Sequence, residues 1–474
     1  MTGEQQRSIA QAWRRGGLTA GELWSRYFEL GGAAGPRALE DYLAARGSLP
    51  GAQADLLAQA VNERLDELVP AVRATYSRPF RDSRPRGRPL GALVRLLEGA
   101  VLSPPERLPA LVTAAGGVLG VAPAVYLVDY DQRRLHPMGG GEALDIDNTL
   151  AGRAFREVRV LPAETPGRPR LWVPLLDGVE RLGVLEVEVD DPAELYDPGL
   201  RTQCRWLASL LGHLVTAVDG YGDAFDRVRI RTSRTLGAEL IWALLPPLTA
   251  GVDNLVVTGV VEPSERASGD AFDYALSETT ADLIVLDAVG HDLGSGLITA
   301  TALSAYRAAR RDGMGLFEQA RAIDEIIAGQ FGRSLFATAV LAEIDLGTGR
   351  MRYLNAGHPP PLIMRGGKVV KPLTDGRRRP LGLGAEELTI GEETLEPDDW
   401  LVIHTDGITE ARDADGTFFG EERLADFLQR EAAAGHPPPE TARRVVQAVL
   451  KHQHGALQDD ATMVLARWTS ARGP

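Results

Sequence analysis

Between Ser8 and about Tyr76 the apolar residues recur at helical spacing, with LTAGELWSRYFEL and LEDYLAARGSL as amphipathic pieces punctuated by Gly and Pro. This pattern predicts a helical module over residues 1–80, with no recognisable chemistry of its own. The stretch SRPFRDSRPRGRPLG, Ser77 to Gly91, is rich in Arg and Pro and reads as a solvated connector, so a linker is placed at 81–91. From Ala92 to Val218 the period changes. LPALVTAAGGVLG is helical, AVYLVDYD, RLWVPLLDG and LGVLEVEVDD alternate as strands around an Asp177-Gly178 turn, and Leu200 to Val218 is helical again. A helix flanking an antiparallel sheet is expected over 92–218. DAFDRVRIRTSRTLGAELIWALLPPL then predicts a connecting helix over 219–248 that stops at Pro246-Pro247, either a passive spacer or a transmitter of movement. In the last part, 249–470, strand-like apolar segments repeatedly end or begin at Asp.

Length and composition narrow the possibilities. A chain of 474 residues corresponds to about three domains, and 44% hydrophobic with 24% charged residues is a globular composition. With 51 Lys+Arg against 65 Asp+Glu the net charge is −14, which argues against bulk binding to nucleic acid or to an anionic membrane. The acidic surplus is either solubilising surface or gathered in part to hold cations. The single cysteine, Cys204, excludes an intrachain disulfide and a thiolate zinc cage; it falls in an apolar helical stretch as a buried small hydrophobe, and a reducing, cytoplasmic setting is expected. No apolar run is long enough to cross a bilayer, and the first residues lack the apolar core of a secretory signal. The three lysines, Lys368, Lys371 and Lys451, lie outside any GxxxxGK phosphate loop, which disfavours a P-loop hydrolase.

The aspartates at strand ends carry the candidate chemistry. SGDAFDYAL holds Asp270 and Asp273, LIVLDAVGHDLGSGL places Asp287 after four apolar residues, DWLVIHTDGITEA places Asp406 after a strand, and QDDATMVLAR places Asp459 and Asp460 before one. Neighbouring strands bring such ends together. Two carboxylates about 4 Å apart repel by roughly 4 kcal/mol at an effective dielectric near 20, so a cluster calls for protons or cations. Hard divalent ions answer that need, and a pair of them can clamp a phosphoryl oxygen and activate water.

The ordered set SGDAFDY, DAVGHDLGSGL, LNAGHPPPLI, PLGLG, HTDGITEARD and DDATMVLA resembles the metal-dependent serine/threonine phosphatases of the PPM (type 2C) group, SpoIIE-like bacterial branch. The resemblance covers roughly the last 220 residues, and AELIWALLPPL resembles that group's entry helix. It implies a C-terminal α/β-sandwich of two antiparallel sheets flanked by helices, and two Mn2+ or Mg2+ ions held by Asp270, Asp287, the Ala288 carbonyl, Asp406 and Asp459. It also implies attack of a metal-activated water on phosphoserine or phosphothreonine. Asp460 aligns with a position that is often not a ligand, and Asp273 is expected to support the site. A phosphorylated anti-sigma factor antagonist is the substrate common in this branch. Two positions depart from the pattern: Ser268 stands where a glycine is usual, and so does Asp292. The layout of 92–218 resembles a GAF domain, which implies a sensory α/β fold that either binds a small molecule or serves dimerisation. The whole is thus expected to be an α+β multidomain chain: helical module, GAF-like domain, connector and phosphatase.

Other residues admit a plainer role. His358 in NAGHPPP fits a structural hydrogen bond, His291 lies beside a presumed ligand, and Arg266 is either a phosphate contact or a solvated arginine. DADGTFFGEE lacks the spacing of an EF-hand, and NAGH and LGLG lack the context of a dinucleotide fold. The apolar Leu200–Val218 helix suggests a homodimer. Two other readings stand beside a phosphatase: an inactive partner-switching scaffold, and a small-molecule sensor acting mainly through the GAF-like part.

Overall fold

The computed structural model describes residues 2–68, 87–165, 167–231, 234–264, 269–290, 293–332, 334–384 and 389–469. The chain divides into two compact units, split after residue 85. The first contains α1 (Thr2–Gly16), α2 (Ala20–Glu29), α3 (Pro36–Leu43) and α4 (Gly51–Leu68). Its helical spacing buries Ile9, Leu23, Tyr27, Leu39, Leu57 and Val61 in one core. Thr19 begins α2 with a capping box, its hydroxyl accepting from the Glu22 N–H while the Glu22 carboxylate accepts from the Thr19 N–H.

The second unit opens with α5 (Arg88–Ala100), α6 (Leu108–Leu119), β1 (Ala122–Val128), β2 (Arg134–Pro137), β3 (Leu144–Asp145), α7 (Leu150–Glu157), β4 (Leu161–Thr165), β5 (Arg168–Asp177), β6 (Glu180–Glu188) and α8 (Pro198–Asp219). The strands form one antiparallel sheet in the order β3-β2-β1-β6-β5-β4. Period-two alternation gives it two apolar faces. Val125, Leu127, Val173 and Leu185 pack against α5, α6 and α8, and Trp172 and Val184 pack against Phe155 and Ala154 of α7. The Asp177-Gly178 turn closes the β5–β6 hairpin as expected, with Asp177 opposite Glu180.

Two expectations are corrected here, and the ground for a third is removed. The Arg/Pro linker does not extend to 91, because α5 starts at Arg88 with Pro89 in its first turn, where proline suits a helix; residues 69–86 lie outside the described ones. The connecting helix over 219–248 is not continuous. α9 (Ala224–Arg229) and α10 (Leu236–Trp242) are separate short helices. Arginines at the end of α9 and before α10 turn back onto the sheet domain, with the Arg229 and Arg234 guanidinium groups 4.1 and 4.5 Å from the Tyr130 ring centre. The apolar face of α8 that suggested a homodimer is spent inside the domain, where Leu200, Cys204, Leu207, Leu211, Val215 and Val218 are buried.

The remainder contains β7 (Thr249–Val252), β8 (Leu255–Glu262), β9 (Asp270–Leu276), β10 (Thr280–Ala288), α11 (Leu293–Arg311), α12 (Leu316–Phe331), β11 (Ala337–Asp345), β12 (Arg350–Ala356), β13 (Leu362–Arg365), β14 (Lys368–Pro372), β15 (Arg377–Arg378), β16 (Gly391–Thr394), β17 (Trp400–His404), α13 (Asp406–Thr409), α14 (Glu421–Ala433), α15 (Pro438–His452) and β18 (Ala461–Trp468). One sheet runs β15-β12-β11-β10-β9 with β16 beside β12, the other β14-β13-β17-β18-β8-β7. Both are antiparallel apart from the two-residue parallel pairing of β12 with β15. The sheets face each other across Val257, Phe272, Val285, Val340, Ile403 and Val464. α11 and α12 cover the outer face of the first sheet and α14 and α15 that of the second, a layered helix–sheet–sheet–helix sandwich.

The sheet domain meets this sandwich along α15. Glu440, fully buried, accepts from Arg443 Nη2 and Nε (2.8 and 2.9 Å) on its own helix and from Arg181 Nη1 (3.4 Å) of β6. Arg443 in turn donates to Asp147 Oδ1 at 2.6 Å, just before α7. Burial alone would raise the Glu440 pKa, but its bonds to Arg443 and the charges of Arg443 and Arg181 outweigh it and hold the group at about 2. A depressed carboxyl pKa contributes stability that is present above the ordinary value near 4.3 and lost as pH falls through about 2. The expected outcome is that acid titration of the wild-type chain, followed by tryptophan fluorescence, shows a loss of about 3 kcal/mol in this window that Glu440→Gln lacks.

Candidate metal centre

β9 and β10 pair so that Asp270, the first residue of one, lies directly opposite Asp287, the penultimate residue of the other. Alternation fixes which way they point. Asp270 shares a face with Phe272, and Asp287 with Val285, both members of the core between the sheets. The second sheet delivers its acids to the same end: Asp406 follows β17 by two residues, and Asp459 and Asp460 immediately precede β18, the strand paired with β17. Two adjacent strands of each sheet therefore contribute.

Hydrogen bonds lock these ends together. The Thr405 hydroxyl donates to Asp270 Oδ2 (2.8 Å) and accepts the Thr462 N–H (3.1 Å), while the Thr405 N–H donates to the Thr462 carbonyl (3.0 Å), so one side chain ties β9 to β17 and β18. Asp460 takes the Ser264 N–H on Oδ1 (2.8 Å) and the Gly269 N–H on Oδ2 (2.9 Å), holding both ends of the loop before Asp270. Two glycines permit the approach. A β-carbon on Gly407 would stand 1.9 Å from the Asp460 carbonyl oxygen, and one on Gly269 would stand 2.7 Å from that of Ala288.

The acids titrate as a crowd. Asp270, only 3% exposed, has its pKa raised well above the usual range by burial first and then by Asp287 and Asp460. Burial, with the charges of Asp406, Asp459 and Asp460, pushes Asp287 up to about 7. Asp460 and Asp406 are raised as well, chiefly by burial. Asp459 is exposed, and its Oδ1 accepts the Asp460 N–H at 2.9 Å. Among the described residues no three His, Cys, Asp or Glu side chains form a ready cage. All-oxygen donors, with exposed or partly exposed Asp287, Asp406 and Asp459 around a buried Asp270, instead fit hard divalent ions that keep part of their water shell. Carboxylates that burial and mutual repulsion drive toward protonation are those a cation would return to their charged form.

Not every expected residue joins the centre. Asp273 does not support it: three residues from Asp270, it points to the opposite face of β9, where Arg307 Nη2 (2.9 Å) and Arg310 Nη1 (3.1 Å) neutralise it against α11. Arg307 also donates to the Leu244 carbonyl (2.6 Å), so this ion pair anchors α11 to the end of the connector. Asp460 is a loop tether through both its oxygens. His358 is structural. Its Nδ1 pairs with the Thr338 hydroxyl (2.8 Å), its N–H donates to Asn355 (2.8 Å), and burial with the nearby His404 lowers its pKa to about 3. Arg266, Ser268, His291 and Asp292 lie outside the described residues. Thr405 was missed by sequence reasoning, although its place between a strand and Asp406 in HTDG was the available signal.

A two-sheet sandwich with acidic strand ends converging from both sheets resembles the PP2C-type phosphatase fold. The model of the family described as Stage II sporulation protein E (SpoIIE) matches residues 277–469, and this part of the chain is a SpoIIE-type domain. The match begins after β9, so the place of Asp270 rests on its register opposite Asp287. Protein IcfG of Synechocystis is 24% identical over 51% of this chain and 42% of its own length. Phosphoserine phosphatase RsbU of Bacillus subtilis is 20% identical over 54% of this chain and 78% of its own. The solved PP2C domain and regulatory fragment of SpoIIE from Bacillus subtilis is 20% identical, with a TM-score of 0.39, over 46% of this chain and 65% of that one. The chain thus spans less than half the length of IcfG.

Because the Gly407 α-carbon abuts the Asp460 carbonyl, Gly407→Ala is expected to lower stability by about 1–3 kcal/mol. It is also expected to diminish the stabilisation conferred by Mn2+. Thermal melts with and without the metal measure both effects.

Proposed function

We propose that the chain is a protein serine/threonine phosphatase whose domain at 249–470 hydrolyses phosphoserine or phosphothreonine with two Mn2+ or Mg2+ ions. The observation that carries this reading is the facing pair Asp270 and Asp287, desolvated at the same end of the sandwich as Asp406 and Asp459. Those four carboxylates, with the Ala288 carbonyl, would hold the ions. Bound there, divalent cations neutralise phosphoryl oxygens and make water a competent nucleophile near neutral pH. The chain's own part is to keep the carboxylates oriented. Thr405 fixes Asp270, and Asp460 holds the loop before it, so little reorganisation accompanies the reaction. RsbU and RsbP of Bacillus subtilis are named phosphoserine phosphatases, which supports a phosphoserine protein as substrate. An anti-sigma factor antagonist is the substrate we assign by that kinship.

Residues 92–218 are read as a GAF-like sensor domain regulating the phosphatase. A cavity of about 560 Å³ lies at its junction with the sandwich, lined by Tyr130, Glu180, Asp226, Arg229, Trp242 and Thr249 among others. This cavity favours small-molecule control as a second reading, since the sheet face under α7 is filled by Phe155 and Trp172.

Hydrolysis of an aryl phosphate and of a phosphoserine protein is expected to require Mn2+ and to stop with chelator. Asp287→Asn should reduce it by about 10² or more, in line with the cost of disturbing groups around a metal. Equal rates for both proteins, with and without chelator, would leave the scaffold reading in its place.

A further inference from the structure

β8 ends at Glu262, whose register partner on β18 is Ala461, the residue after Asp460. Two residues further on, the Ser264 N–H donates to Asp460 Oδ1. The Glu262 side chain is only 14% exposed, and its carboxylate accepts from Arg133 Nη2 at 3.1 Å. Arg133 belongs to the β1–β2 turn of the sheet domain, not to the sandwich. The other charged groups acting on Glu262, Asp131 and Asp129, are acidic, and burial together with Asp131 raises its pKa to about 7. A short run of contacts thus leads from the sheet domain to the proposed metal centre: Arg133 to Glu262, along Pro263 to Ser264, to Asp460, and through its second oxygen to Gly269 beside Asp270.

We infer that Arg133 is a positioning residue for the metal centre: the sheet domain completes the site by holding the end of β8, and with it the Asp460 tether, in place. The inference rests on the reading of Asp270, Asp287, Asp406 and Asp459 as metal ligands. Its physical basis is the cost of an orphaned carboxylate. Without Arg133, charged Glu262 faces Asp131 in a largely desolvated position, and the reliefs open to it are to take a proton or to swing toward water. Pro263 has a fixed φ and transmits that swing to Ser264, which loosens its bond to Asp460. Arg133 is itself 47% exposed, so solvent screens the pair and the effect is a graded weakening, not a collapse. The contact is also separate from the Glu440 cluster, so it can be altered while the domains stay docked through Arg181 and Arg443.

The test uses the full chain with Mn2+ alone as the probe, comparing wild type, Arg133→Ala, Arg133→Lys and the double variant Arg133→Ala/Glu262→Gln. Mn2+ affinity is read by titration calorimetry, and hydrogen exchange of the peptide containing Ser264 is read in metal-free protein. Arg133→Ala is expected to weaken Mn2+ binding by about three- to fivefold, to speed exchange at Ser264, and to leave turnover at saturating Mn2+ near wild type. Arg133→Lys should stay near wild type. The double variant should recover, because no charge is then orphaned. Unchanged affinity and exchange in Arg133→Ala, or a double variant as impaired as the single one, overturns the inference. If no variant binds Mn2+, the metal reading fails, while the exchange measurement still decides whether Arg133 holds the Ser264 tether.

Discussion

Carboxylates crowded at the same end of a two-sheet sandwich set the terms for everything around them. Asp270 and Asp287 are fixed face to face by the register of β9 and β10, so neither can move away without breaking the ladder. The second sheet adds Asp406, Asp459 and Asp460 from the other side. Backbone donors and a threonine hydroxyl supply part of the compensation, and the raised pKa values of Asp270 and Asp287 show that it is incomplete. That deficit is what a bound cation would make good. A fully satisfied cluster would be stable and inert.

The same constraint explains the small residues nearby. Gly407 lets the turn after β17 press against the start of β18, and Gly269 lets the loop before β9 lie on the Ala288 carbonyl. Thr405 is required because a hydroxyl can donate to Asp270 and accept from Thr462 at once. Each of these choices trades local freedom for closeness of approach, and each would be unnecessary if the acids were spread over the surface.

Much of this was legible in the chain. Aspartates at the ends of apolar segments located the centre, and the motif order located the sandwich. The finer assignments turned on parity, which a motif does not announce. Asp270 and Asp273 are three residues apart on one strand and must face opposite ways, so Asp273 was bound to meet α11 and its arginines. Asp460 shares the inward face of β18 with Thr462 and Val464, which makes it a tether, whereas Asp459 is left exposed. The break in the connector and the covering of α8 turn on distant partners. Their periodicity is helical, but Arg229 and Arg234, at the break in the first, lie against Tyr130 about a hundred residues earlier in the chain, and what covers the second is the sheet packed on it. Neither partner can be identified from local pattern.

Those contacts also bear on how one domain could influence the other. A connector made of two helices of six and seven residues is too short and too broken to act as a rigid lever. β8 and α15 are better placed. Both pack on β18, the strand that begins just after the tethering aspartate, and both receive arginine contacts from the sheet domain. These contacts join the sheet domain to β8 and α15 directly, and packed sheets shift as units while a segmented chain bends.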